Sequence, residues 1–190
     1  MMMNLAMKKT RGIFQIYKRL LSRRPYLVQA VQTGTLMGAG DIISQTVIEK
    51  KSFKKIDYKR TLQFSSIGFF VGGPALRIWY GLLNKHVGSS GKMVALKKVF
   101  VDQFIFAPTF LLFLLISVGT MQGKSYDIIK QDIETNYFDV LKTNYYIWPL
   151  VQIINFYYIP LQYQVLLVQS VALFWNTYLS WKTNYKGLIE

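Results

Sequence analysis

Three ionisable residues stand inside otherwise apolar stretches of the chain: Asp41, Arg77 and Asp102. A charged side chain at the centre of a bilayer costs about 2.5–3.5 kcal/mol on insertion scales unless it is paired or hydrated. Three arrangements meet that cost. The groups line an aqueous pathway and set its ion or metabolite preference; or they form an interhelical lock, for example Arg77 with one aspartate; or an aspartate lies close to the membrane interface. Gln103 adjoins Asp102, and Gln152 and Asn155 lie three apart on one helical face beside Pro149 and Pro160. These amides either satisfy backbone groups freed by the prolines or face a polar lumen.

Other chemistry finds no residues to carry it. His86 is the single histidine, and its loop position argues against metal ligation or proton shuttling. Gly88-Ser89-Ser90-Gly91-Lys92 resembles a phosphate loop, but its glycines are too close and Met93 stands where Ser or Thr would hold magnesium. There is no Gly-x-Ser-x-Gly elbow. Zero cysteines exclude disulfides, thiolate metal sites and cysteine nucleophiles. The expectation is no catalytic residue, no cofactor, no metal and no enzyme activity.

The elements that position the charged and amide groups are membrane spans. The 190 residues carry 52% hydrophobic and 17% charged side chains, and the two classes are segregated. No Lys, Arg, Asp or Glu occurs from Thr143 to Trp181 or from Gln103 to Gly123. Asp41 is the one charge from Pro25 to Ile48, and Arg77 the one from Thr61 to Asn84. Nearly charge-free stretches of about 18 or more residues mark membrane spans. A net charge of +14 would suggest nucleic acid in a soluble protein. Here the bases sit in tails and loops between apolar runs, where membrane proteins carry them. The partners expected are the lipid bilayer, a second copy of the chain in a homo-oligomer, and an unnamed small-molecule or ionic permeant, with no nucleic acid.

The fold expected is all-α: a bundle of four transmembrane helices with a basic amphipathic N-terminal segment and an interfacial helix before the last span. Residues 1–24 are acid-free and basic, with Ile16, Leu20 and Leu21 at helical spacing. Such a start suits a mitochondrial targeting element or a helix lying on anionic lipid. The membrane domain covers 25–181 and a short tail covers 182–190. Its spans fall near Leu27 to Ile48, Leu62 to Leu83, Val99 to Thr120 and Leu161 to Trp181. Gly34 and Gly38 in the first, and Gly68 and Gly72 in the second, form small-residue stripes where backbones approach closely. Pro74, Pro108, Pro149 and Pro160 are predicted kinks, because proline removes an amide donor and clashes with the preceding turn. Ile129, Ile133, Tyr137, Val140 and Leu141 share one helical face, predicting the interfacial helix. The segment from Pro149 to Ile159 is then re-entrant, interfacial or a kinked extension. With four spans both termini lie on one side, and the distribution of bases hardly discriminates which.

The motifs together resemble the Mpv-seventeen / peroxisomal membrane protein twenty-two family over most of the chain, from about Tyr17 to Trp181. They are Pro25, Thr33-Gly34, Gly40-Asp41 and Gln45; Asp57 and Arg60 as Asp-x-x-Arg; Gly73-Pro74 before Trp79-Tyr80; Asp102-Gln103 and Pro108; Trp148-Pro149, Gln152, Asn155-Phe156 and Pro160; and Trp175-Asn176-Thr177-Tyr178-Leu179-Ser180. The chain departs from the family's usual residues at Arg77 (histidine), Tyr145 (tryptophan) and Gln164 (arginine). The resemblance implies a multi-pass protein of the mitochondrial inner membrane or, alternatively, the peroxisomal membrane. It also implies channel-like passage of small solutes supporting mitochondrial homeostasis. A non-transporting scaffold or assembly factor is the rival expectation.

Overall fold

The computed structural model describes residues 15–17, 19–88, 91–158 and 161–184. Much of the basic N-terminal segment, Ser89-Ser90, Pro160 and the end of the C-terminal tail lie outside the described residues. The described residues are almost entirely helical, without strands, as the hydrophobic patterning predicts.

Among the described residues five rods make up the bundle, preceded by the short helical stretch 19–23. The first is α1 (Pro25–Ile43), continued by a π-helical turn, Ser44–Ile48. The second joins α2 (Tyr58–Ile67) to α3 (Gly73–His86) through a π-turn at Gly68–Gly72. The third joins α4 (Lys92–Val101) to α5 (Ala107–Met121) through a π-turn at Asp102–Phe106. The fourth and fifth are α6 (Tyr126–Tyr157) and α7 (Leu161–Asn184).

Local chemistry sets the boundaries. Pro25 opens α1, where its missing N–H loses nothing. Asp57 caps α2, its Oδ1 accepting the Arg60 backbone N–H at 3.0 Å. The third rod ends where Gly123, at φ +73°, takes the left-handed conformation. There Gly123 N–H donates to the Thr120 carbonyl and Lys124 N–H to the Gly119 carbonyl, the paired bonds of a Schellman stop.

Pro74 and Pro108 each follow a π-turn closely, and the carbonyls their rings would strike, four residues back at Phe70 and Phe104, lie inside those turns. The wider π-turn absorbs the proline and the rod continues. Pro149 lies within α6, which runs unbroken to Tyr157. Of the three readings of the segment after Pro149, the structure has the extension: residues 149–157 continue the preceding helix as one rod. Its predicted apolar face also turns inward. Val140 is fully buried, Ile129 meets Gly119, and the Tyr137 hydroxyl donates to the Pro108 carbonyl. That face packs on α5, because a protein wall offers closer contact than a membrane surface.

The rods close into a ring. The first packs against the second and fifth; the third lies between the second and fourth; the fourth meets the fifth. Backbone proximity explains the glycines. A Cβ at Gly68 would stand 2.7 Å from the Thr33 carbonyl oxygen and 2.8 Å from the Gly34 Cα; one at Gly34 would stand 2.9 Å from the Ser65 carbonyl oxygen. Gly38 faces the Ser65 hydroxyl, whereas Gly72 meets a Thr33 methyl at a looser 3.1 Å. Three glycines outside the predicted stripes fit as tightly: Gly73 against Ala30, Gly40 against Asn176 and Thr177, and Gly119 against Ile129. The core beneath these contacts takes Met37, Phe64, Ile67, Leu111, Leu114, Val118, Val140, Trp175 and Leu179, drawn from all five rods.

Of the described helices, Met93–Met121 is the one long and apolar enough to cross a membrane by composition, with mean hydropathy 2.2. It exposes Phe100, Phe104, Ile105 and Phe113 on its outer side. Gly68→Val should force the first two rods apart and lower stability by about 1–3 kcal/mol, as overpacking does. Gly81→Ala, with open space around it, should be neutral or stabilising by up to about 1 kcal/mol. Thermal unfolding of the purified variants in detergent checks both.

Candidate functional site

The polar residues gather at two places along the ring, separated by the core. At one end is a charge lock around Asp41, which is fully buried. Its Oδ1 accepts Arg60 Nε at 2.6 Å and Ser180 Oγ at 2.5 Å; its Oδ2 accepts Gln45 Nε2 at 2.8 Å and Thr61 Oγ1 at 2.6 Å. Arg60 also forks onto Glu49, from Nη2 to Oε1 at 2.7 Å and from Nη1 to Oε2 at 3.1 Å, and Nη2 donates to Ser180 Oγ at 2.8 Å. Gln45 clasps the Asp57 peptide from both sides, accepting its N–H at 2.8 Å and donating to its carbonyl at 3.1 Å. The π-turn Ser44–Ile48 carries two of the buried members, Ser44 and Gln45.

The lock thus realises the interhelical reading of Asp41, but with Arg60 as the cation instead of Arg77. Arg77 is exposed and its guanidinium lies over the Tyr26 ring, 5.8 Å from the centroid. Its place on the outer side of α3 directs it away from both aspartates. Arg60 looks like one of a row of loop bases in the sequence. Only its position three residues after Asp57, in the first turn of α2, hints at the inward turn.

Glu49 lies at the rim of the lock, beyond the end of the first rod. Burial by itself would raise its pKa, but the Arg60 fork and the Lys51 ammonium, 2.9 Å away, outweigh that and hold it at about 2.

At the other end the ring encloses a cavity of about 150 Å³, lined by residues of all five rods. Asp102, Gln103 and Gln152 line it, with Tyr80, Asn144 and Gln169. The π-turn at Asp102–Phe106 buries both Asp102 and Gln103. Asp102 accepts Trp79 Nε1 at 2.8 Å and Gln103 Nε2 at 2.8 Å. Gln103 Oε1 in turn accepts Asn144 Nδ2, and its carbonyl accepts the Tyr145 hydroxyl, both at 3.0 Å. Gln152 donates to the Tyr80 hydroxyl at 3.0 Å, while its Oε1 has no partner among the described residues. Asn155 is buried with Oδ1 also unpartnered, but it does not line the cavity. Trp79, Tyr80 and Asn144 were not singled out as site residues by the sequence. The dipeptide Trp79-Tyr80 appears only within the resemblance, and nothing in a lone Asn144 marks it.

These observations define an all-helical bundle with a buried charge lock at one end and a polar-lined cavity at the other. A profile of the Mpv17 / PMP22 family matches residues 119–180. The chain is 46% identical over 173 residues to "Mitochondrial inner membrane protein Mpv17" of Xenopus laevis, and 42% identical over 173 residues to the Homo sapiens protein of that name. Each alignment covers 91% of this chain and 98% of the relative. It is 39% identical over 168 residues to "Protein sym-1" of Neurospora crassa, covering 87% and 95% of the two chains. No solved structure matches. The chain belongs to the Mpv17 / PMP22 family, and its location is the mitochondrial inner membrane.

Removing the Arg60 charge leaves the buried Asp41 without a cation, while Glu49 keeps Lys51. Arg60→Gln should therefore cost about 3–5 kcal/mol, the range for breaking a buried pair, read as a large fall in thermal unfolding temperature. The pH dependence has a definite sign. Glu49 is depressed in the folded state, so its contribution is complete above its ordinary value of 4.5 and is lost as pH falls towards about 2. The stability gap between wild type and Glu49→Gln should be constant near neutrality and close progressively below about pH 4.5.

Proposed function

We propose that the protein is a weakly selective channel for small solutes, with the cavity as part of its pathway. The single observation that carries this reading is the convergence of Asp102, Gln103, Asn144 and Gln152 on a cavity lined by every rod of the ring. Polar groups at that depth are costly unless they meet one another, water or a solute. The reading places four spans across the bilayer, with the uncharged part of α6 from Thr143 onwards entering it and the charged first half at the interface. The pathway is shut at the lock end. Phe64, Val118 and Leu179 fill the ring there, and the Asp41–Arg60 pair joins α1, α2 and α7 beyond them. Conduction would require α7 to move relative to α1, or a second copy of the chain to reshape the bundle.

A specific observation favours the second reading, a non-transporting scaffold that supports membrane organisation or assembly of a larger complex. Every carboxylate oxygen of the lock is satisfied, as a static structural element requires.

Planar-bilayer recording of the purified protein separates the two readings. The channel reading expects discrete conductance whose cation preference falls by at least about twofold in Asp102→Asn, because the cavity loses its carboxylate. It expects Arg77→Gln to conduct like wild type, since Arg77 lies off the cavity. Silence from folded wild-type protein would favour the scaffold.

A further inference from the structure

We propose that the cavity is a binding site for a small primary ammonium ion, with Asp102 as the counter-charge and Gln152 as a second acceptor. Among the described residues the lining contains no Lys, Arg or His, and Asp102 is its one carboxylate. Asp102 is 8% exposed, and the donors it receives, Trp79 Nε1 and Gln103 Nε2, are both uncharged. A buried carboxylate without a cation carries a desolvation cost that two neutral hydrogen bonds offset only in part. Each of its oxygens keeps acceptor capacity beyond the bond already made.

Gln152 adds an independent observation. It is 3% exposed, Nε2 is committed to the Tyr80 hydroxyl, and Oε1 has no partner among the described residues. Buried amide oxygens are nearly always satisfied, so an open one at a cavity wall points to a donor supplied from outside. Unsatisfied acceptors and negative charge together call for a cation that brings N–H groups, and a primary ammonium brings three.

The walls agree with that choice. Tyr80, Phe106, Phe110, Trp148 and Trp175 present aromatic surface, which attracts an ammonium through its ring quadrupoles and accommodates a short alkyl tail. A volume of about 150 Å³ holds about five water-sized groups at ~30 Å³ each, enough for a two- or three-carbon amine. An anion would find no compensating charge among the described residues of this lining.

The proposal deepens the solute-pathway reading of the same cavity and depends on that reading for its biological role. Its test reads equilibrium binding, so it fails or succeeds separately from conductance. Trp148 and Trp175 line the cavity and Trp79 touches Asp102, so three of the four tryptophans report on it. Full-length protein in detergent is titrated with ethylammonium chloride, against potassium chloride at equal ionic strength, while tryptophan fluorescence is followed. The expected result is a saturable change with ethylammonium alone, weakened at least tenfold in Asp102→Asn and kept within a few-fold in Asp102→Glu. No saturable change, an equal response to potassium, or unaltered binding in Asp102→Asn would overturn the proposal. Should Asp102→Asn fail to fold, Gln152→Glu decides. A second carboxylate in the cavity should tighten ethylammonium at least tenfold, and unchanged affinity would overturn the site.

Discussion

A carboxylate at zero exposure has to be matched on every side, and Asp41 is matched by four hydrogen bonds, one of them from a guanidinium. The donors come from three rods: Gln45 just beyond α1, Arg60 and Thr61 in α2, and Ser180 in α7. These segments must therefore meet at one point with side-chain geometry good to a few tenths of an ångström. Gly40 permits this, since any side chain there would collide with Asn176 and Thr177. Gly34 and Gly68 do the same between the first two rods. The backbone contacts and the charge pairing are consequently one constraint. Neither is satisfied unless the other is, which favours a single arrangement of rods over a family of sliding ones.

The ring that follows has three layers along its length. The lock comes first, the apolar plug of Phe64, Ile67, Val118, Val140 and Leu179 next, and the cavity last. Each π-turn lies at a functional level. One carries Ser44 and Gln45 into the lock, one brings Gly68 against α1, and one sets Asp102 and Gln103 at the cavity wall. A π-turn adds a residue to the helical register and so redirects side chains that a regular helix would leave elsewhere. In the second and third rods it also accommodates the proline that follows. One local device thus positions polar groups inward and lets the rod continue.

The sequence carried much of this and misplaced some of it. Charge-free runs exposed the helical rods, and the small-residue stripes marked faces open to a close backbone without naming which one, because both signals depend on local composition alone. The candidate polar residues then divided in a way no pattern announced. Asp102, Gln103 and Gln152 share the cavity, Asp41 belongs to the lock, Arg77 stacks on Tyr26, and Asn155 is buried apart. The segment after Pro149, open between three readings, extends the helix before it. An apolar face between Ile129 and Leu141 was expected to meet lipid and instead meets α5. In each case the hydrophobic period identified a buried face without identifying what buries it.

What the sequence determined by itself is the class: a helical membrane chain resembling the Mpv17 / PMP22 family, with too few charges for water and too many inside its apolar runs to face lipid. Those are sums over neighbours in the chain, and they survive any folding arrangement. What only the tertiary structure decided is the pairing. Arg60 reads as one more base in a lysine-rich loop until α2 turns it towards Asp41, nineteen residues earlier, and Ser180 joins them across 139 residues of chain. Electrostatic partnership depends on distance in space. Periodicity can report which face is buried, but not which charge will be waiting there.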